Sequence, residues 1–165
     1  MTTHRTERAL FAAGCFWGVQ AVFDQIDGVT TTIVGYTGGT TINPQYQEVC
    51  SGNTGHAEAI LIEYNCQQIT YQQLLDVFFA NHNPTTLNQQ GPDRGTQYRS
   101  AIFYYNDEQK NTAAKTISEL NRTGAFDTII VTTLEKAETF YPAEDYHQKY
   151  YQKHAVSCQV QLKKI

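Results

Sequence analysis

At Gly14 the hydrophobic pattern of the chain changes character. Before it, Ala9-Leu10-Phe11-Ala12-Ala13 is an unbroken apolar run of the length of a buried strand. After it, Val19, Val22, Phe23 and Ile26 recur at helical spacing, and the run stops before Gly28. Val29 to Tyr36 is rich in β-branched residues and predicts a second strand. Gly14 supplies the backbone freedom for a sharp turn between the first two elements. The expected start is therefore β-α-β, with the helix opening near Cys15 or Phe16.

The rest of the chain continues in the same mixed style. Thr37 to Gly55 is a long polar loop containing Tyr46, and loops of that length are more often functional than idle. His56 to Tyr64 predicts a central strand, apolar on both faces. Thr70 caps a helix carrying Leu74, Leu75, Phe78 and Phe79. Asn83 to Arg99 is a second long loop, broken by Gly91-Pro92 and Gly95. Ala101 to Tyr105 reads as a strand. Asn106 then caps a helix with Gln109 at the capping-box position and Gly124 past its end. Ile129 to Leu134 reads as a strand, and a helical turn or two from Ala143 carries Tyr146, His147 and Tyr150.

The expected fold class is α/β (α+β). It is one domain over residues 1–165, a mixed sheet of about four or five strands with flanking helices around a ferredoxin-like core. A polar extension covers residues 1–7 and a tail covers 155–165. With 165 residues and 41 % hydrophobic content the chain can bury a real core. Its net charge of -4 lacks the basic stripe of a nucleic-acid protein. No apolar run has the length of a membrane span. The polar start, Met1 to Arg8, has no signal-peptide core, so a cytoplasmic location is expected; the chain is expected to act as a monomer.

Cys15 is the first candidate for chemistry. A helix N-terminus presents free N–H groups and partial positive charge, which favour a thiolate and lower its pKa. The alternative is a small core residue, since free cysteine is among the most buried types. Gly14 and Gly18 flank it, and Phe16 and Trp17 follow; two adjacent aromatics cannot both face one core, so one should face the sulfur. Glu58 interrupts an apolar central strand, where burial would raise its pKa and keep it protonated as a general acid. On an edge strand it would simply be in water. Tyr46, Asp93 and Tyr98 lie in the long loops, where each can hydrogen-bond a polar group. His56, His82 and His147 have no strong ligand spacing, so structural or solvated roles are expected and no metal.

Four ordered blocks carry a family resemblance. Gly14-Cys15-Phe16-Trp17-Gly18 resembles the active-site motif of the peptide methionine sulfoxide reductase A family. Glu48 to Glu58 (EVCSGNTGHAE), Asp93 to Ser100 (DRGTQYRS) and Ala143 to Gln148 (AEDYHQ) resemble its second, third and fourth blocks. The match runs in order from about Ala9 to Gln148. It implies a thiol-dependent enzyme that returns methionine S-sulfoxide, peptidyl or free, to methionine. Cys15 would attack the sulfoxide sulfur and Phe16 and Trp17 would wall a pocket for the substrate methyl group. Glu58 would protonate the oxygen with Tyr46 and Tyr98 bonded to it, and Asp93 would hold the site. No prosthetic group is implied; thioredoxin or another thiol would be the reductant, and oxidised proteins the partners.

The resemblance also implies a resolving thiol, because a sulfenic acid condenses with a second cysteine. Cys158 corresponds in position, although its spacing from the Tyr-His-Gln block is about one residue short and Gln159-Val160-Gln161-Leu162 replaces a glycine-rich stretch. Cys50, in the loop with Tyr46, or an outside thiol is the alternative; Cys66 is a bystander. Two rival functions remain at this level. One is a cysteine hydrolase or acyltransferase with His56 or His147 as base. The other is a non-enzymatic binder of oxidised methionine.

Overall fold

The computed structural model describes residues 6–154. Strand β1 (Thr6–Ala13) leads into helix α1 (Phe16–Phe23), then strand β2 (Val29–Thr37), the short helix α2 (Tyr46–Cys50) and strand β3 (Ala57–Asn65). Helix α3 (Tyr71–Ala80), the two-residue strands β4 (Gln89–Gln90) and β5 (Asp93–Arg94), and a 3-10 turn at 96–98 follow. The chain continues with β6 (Ser100–Tyr104), α4 (Asp107–Thr123), β7 (Thr133–Lys136), β8 (Tyr141–Pro142), a second 3-10 turn at 145–147, and α5 (Tyr150–His154).

The main sheet has the order β7-β6-β1-β3-β2-β8. Strand β3 pairs antiparallel with both β1 and β2, so β1 and β2 run parallel with β3 inserted between them. Among the described residues only β6 and β7 pair side by side in parallel. The β-α-β start is thus real but split. Phe11 pairs with Ile60; continued in that antiparallel register, Ala13, two residues on, comes level with Glu58, two residues back. That register brings the end of β1, and the helix start behind it, over the carboxyl.

One face of the sheet carries the main core. Phe11, Val34, Ile60 and Ile62 share a buried cluster with Phe23 of α1, Leu74 and Phe78 of α3, and Ala113 of α4. The Phe11 ring centre lies 5.9 Å from that of Phe23 and 4.9 Å from that of Phe78. Burying one such side chain contributes about 1.5–3 kcal/mol. Glu58 alternates with Ala57 and Ala59 and so shares the helix-covered face with Ile60 and Ile62. The opposite face carries a smaller cluster, Leu10 and Phe103 among Ala12, Ala57, Ala59 and Ala101, under Ala137 and Phe140.

The capping signals place α3 and α4 correctly. The Thr70 hydroxyl accepts the Gln73 N–H, and the Asn106 side chain accepts the Gln109 N–H. Gly124 ends α4 in the left-handed region. Gln109 completes no capping box; its amide bonds Tyr105 N–H and Arg8 O instead, stitching α4 to β1.

Four expectations need correction. The main sheet has six strands rather than four or five, because β8 adds a two-residue edge against Gly35 and Tyr36. Pro142 suits such an edge, where its missing N–H costs no ladder bond. The strand expected at Ile129–Leu134 lies later, at Thr133–Lys136: Ile129 is 73 % exposed, and Ile130 and Val131 give their N–H groups to Asn121 and Pro84 rather than to a ladder. Thr6 and Glu7, expected in a polar extension, begin β1 opposite Asn65 and Tyr64. Helix α1 ends at Phe23, and Ile26 follows in tight turns.

Candidate active site

Gly14 turns the chain at φ 89, and a Cβ there would strike the Gln90 side chain at 2.6 Å. Cys15 is consequently the N-cap of α1, and the N–H groups of Trp17 and Gly18 lie close enough to its sulfur to pull its pKa down. Those two donors favour the thiolate, but burial works harder against it. Burial, followed by the nearby Glu58 charge, pushes the Cys15 thiol up to about 12. The expectation of a lowered pKa is overturned: desolvation outweighs the helix terminus, and the resting group is a thiol.

Glu58 is 1 % exposed. Its Oε1 accepts the Phe16 main-chain N–H at 3.1 Å. Burial pushes the carboxyl up to about 8; the Phe16 bond pulls down and the Asp93 charge adds to the rise. At neutral pH Glu58 is therefore an acid with a proton to give, and its repulsion of the Cys15 thiolate is switched off. The site holds two protons where two anions would repel.

Tyr46 opens α2, a helix with no apolar period to announce it. The Gln45 side chain and Glu48 form its capping box. The Tyr46 hydroxyl meets the Cys50 thiol, and burial pushes its pKa up, with Glu58 and Tyr98 adding to the rise. Tyr98, in the 96–98 turn, is pushed up by burial and then by Glu58, Cys50, Asp93 and Cys15. These mutual influences put Cys15, Glu58, Tyr46, Tyr98 and Asp93 in one electrostatic neighbourhood, with exposed Cys50 beside it.

The two aromatics after Cys15 part company. Phe16 is 1 % exposed and packs against Tyr36 and His147, ring centres 5.7 and 5.2 Å away. Trp17 is half-buried. Its Nε1–H donates to His147 Nδ1 at 2.9 Å, and its ring lies flat on Tyr150 at 3.8 Å. The indole bond makes Nδ1 an acceptor, so neutral His147 carries its proton on Nε2. Burial holds the imidazole below its usual range.

Sequence reasoning offered His147 only as a hydrolase base or a structural residue, and it assigned no role to Glu144 or Tyr36. Glu144 accepts the Tyr36 hydroxyl at 2.9 Å and the Tyr46 N–H at 3.1 Å, bracing the tyrosine from behind. The available signal was their position in or near the motif blocks; Tyr36 had none beyond ending a strand. Cys158 lies outside the described residues. The hydrolase reading loses its base. His56 Nδ1 accepts the Gly39 N–H and its Nε2 bonds Thr41 O, while His147 Nδ1 is taken by the indole.

Cys15 also borders an apolar recess of about 140 Å³ between α1 and α3, lined by Gly18, Val22, Phe78 and Tyr151 among others. The sulfur is therefore bordered both by the acid and tyrosine cluster and by a recess reaching α5.

Fold and site together define a cysteine-based redox enzyme: a thiol at a helix start, an acid held protonated beside it, and tyrosine hydroxyls around them. The family model for peptide methionine sulfoxide reductase matches residues 7–165. The peptide methionine sulfoxide reductase MsrA of Acinetobacter baumannii (strain AYE) is 59 % identical over 147 residues, 89 % of this chain and 83 % of that one. Mxr1 from Saccharomyces cerevisiae in reduced form superposes with a TM-score of 0.89 at 34 % identity, covering 99 % of this chain and 94 % of that one. Mxr1 in complex with Trx2 gives 0.64 at 26 % identity, covering 90 % and 87 %. The chain belongs to the peptide methionine sulfoxide reductase family.

Proposed function

We propose that this protein reduces methionine S-sulfoxide, peptidyl or free, to methionine and so repairs oxidised proteins. The observation that carries the reading is the buried Glu58 carboxyl, pushed up to about 8 and tied by its Phe16 bond to the helix start that holds Cys15. A sulfoxide oxygen leaves poorly until protonated. Glu58 supplies the proton, Tyr46 and Tyr98 hydrogen-bond the oxygen, and positive charge builds on the substrate sulfur. Such a donor contributes about 10²–10⁴-fold in rate. The Cys15 thiol loses its proton as its sulfur attacks, and the Trp17 and Gly18 amides stabilise the forming anion. The Cys15 proton joins the Glu58 proton on the oxygen, which leaves as water while the Cys15 sulfur bonds the substrate sulfur. A water then adds to the Cys15 sulfur, the sulfur–sulfur bond breaks and methionine leaves. A proton returns to Glu58, and Cys15 is left as a sulfenic acid. Phe16 and Trp17 wall the methyl pocket, and Asp93 adds negative charge that favours protonated Glu58.

Cys158 then attacks the sulfenic acid, forming a disulfide and releasing water. The recess beside Cys15 supports this route, because its rim includes Tyr151 of α5, the element from which residues 155–165 continue. A thioredoxin dithiol reduces the disulfide; the yeast relative with Trx2 supports that partner. We read the four central strands, β6-β1-β3-β2, as a ferredoxin-like core, and residues 1–165 as one catalytic domain needing no prosthetic group. Among the described residues no helix is long and apolar enough to cross a membrane; the enzyme is read as a cytoplasmic monomer.

The test is mass analysis after one stoichiometric dose of methionine sulfoxide without reductant. One equivalent of methionine and a Cys15–Cys158 disulfide are expected. Turnover by Cys15→Ser would overturn the mechanism.

A further inference from the structure

Lys149 adopts the left-handed conformation, φ 56, which few non-glycine residues occupy without support. It sits between two residues that hold Trp17. His147, two positions before, accepts the indole N–H, and Tyr150, one position after, lies on the indole face with rings 8° from parallel. The 3-10 turn at 145–147 and helix α5 are separated only by Gln148 and Lys149. The backbone at Lys149 therefore helps set how both partners meet one ring.

Three contacts from Lys149 hold that backbone. Its N–H donates to Gln20 Oε1 at 2.7 Å, and its ammonium donates to Asp24 Oδ1 at 2.6 Å and Thr32 Oγ1 at 2.9 Å. Gln20 is 1 % exposed, and its amide also bonds Thr32 O and Oγ1. The anchor thus ties the turn that leads into α5 to α1 and β2 at once. A surface lysine–aspartate pair by itself contributes little. This one closes on a strained backbone and a buried amide, and the proposed chemistry uses none of its groups.

We propose that Lys149 is a positioning residue for the substrate pocket. By closing on Gln20, Asp24 and Thr32 it holds the left-handed turn that seats His147 and Tyr150 against Trp17. The inference rests on Trp17 being a wall of that pocket; Lys149 itself does not touch substrate.

Trp17 is the sole tryptophan, so its fluorescence reports this packing directly. The experiment measures dithiothreitol-driven reduction of N-acetyl methionine sulfoxide together with tryptophan emission in Lys149→Met, Lys149→Arg and Asp24→Asn. Lys149→Met and Asp24→Asn are expected to raise KM roughly three- to tenfold with kcat within about twofold, the pattern of weakened binding rather than weakened chemistry. Emission should shift to longer wavelength, and Lys149→Arg should restore both readings through the same carboxylate. Unchanged KM and emission in Lys149→Met would overturn the proposal, as would a fall in kcat at constant KM. Should Lys149→Met fail to fold, Asp24→Asn carries the test. Trp17→Phe separates the two levels: an unchanged KM there removes the pocket wall, while an emission shift in Lys149→Met still supports the anchor.

Discussion

The Phe16 main-chain N–H donates to Glu58 Oε1 across 3.1 Å. This bond ties the acid to the residue directly after the nucleophile. It orients the carboxyl and lowers its pKa against the larger opposite push of burial. The acid is thus held in place without being fully ionised.

Glu58 should govern the pH dependence of the reductive step. Its proton is lost as pH rises through about 8, so single-turnover reduction should decline over that range. Glu58→Gln should slow the step about 10²–10⁴-fold and remove the alkaline decline. Rapid-quench measurement of methionine across pH checks this, and an unchanged profile would dismiss Glu58 as the acid.

The same group should make stability pH-dependent. Its folded pKa is raised above the unfolded value, so the folded state binds the proton more tightly. Stability is fully present below the carboxyl's ordinary range, near 4.5, and is lost as pH rises towards about 8. Urea titrations should show a decline of up to a few kcal/mol across this window. Glu58→Gln should flatten it.

Cys15 should be a slow thiol at rest. With its pKa pushed up to about 12, alkylation by iodoacetamide at neutral pH should be far slower than that of a free cysteine and should climb with pH. Above about pH 8, Glu58→Gln should speed the reaction, because the repelling carboxylate is gone. Peptide mapping of the alkylated sites reads this out; fast labelling of Cys15 at pH 7 would contradict it.

Cys158→Ser should still yield one equivalent of methionine per enzyme but lose thioredoxin-supported cycling. Normal cycling in that variant would move the resolving step to Cys50 or an external thiol.

The local signals were legible because their physics is local. Gly14 and the helical spacing after it mark the start of α1; Thr70 and Asn106 show their caps in the sequence; Glu58 stands out as a carboxylate in an apolar strand. Tyr46, Tyr98 and Asp93 were visible only as polar residues in long loops until the family resemblance singled them out. Helix α2 and strand β8 are too short to leave a periodic trace, and their residues are ordered by partners far along the chain. What the tertiary structure alone decided are the quantities that depend on the environment. The register of β1 on β3 set the end of β1 level with Glu58, and burial of the sulfur reversed the sign of the pKa shift its helix position suggests. The tautomer of His147 was chosen by an indole 130 residues away. Desolvation and long-range hydrogen bonds are properties of packed neighbours, and no window of sequence contains them.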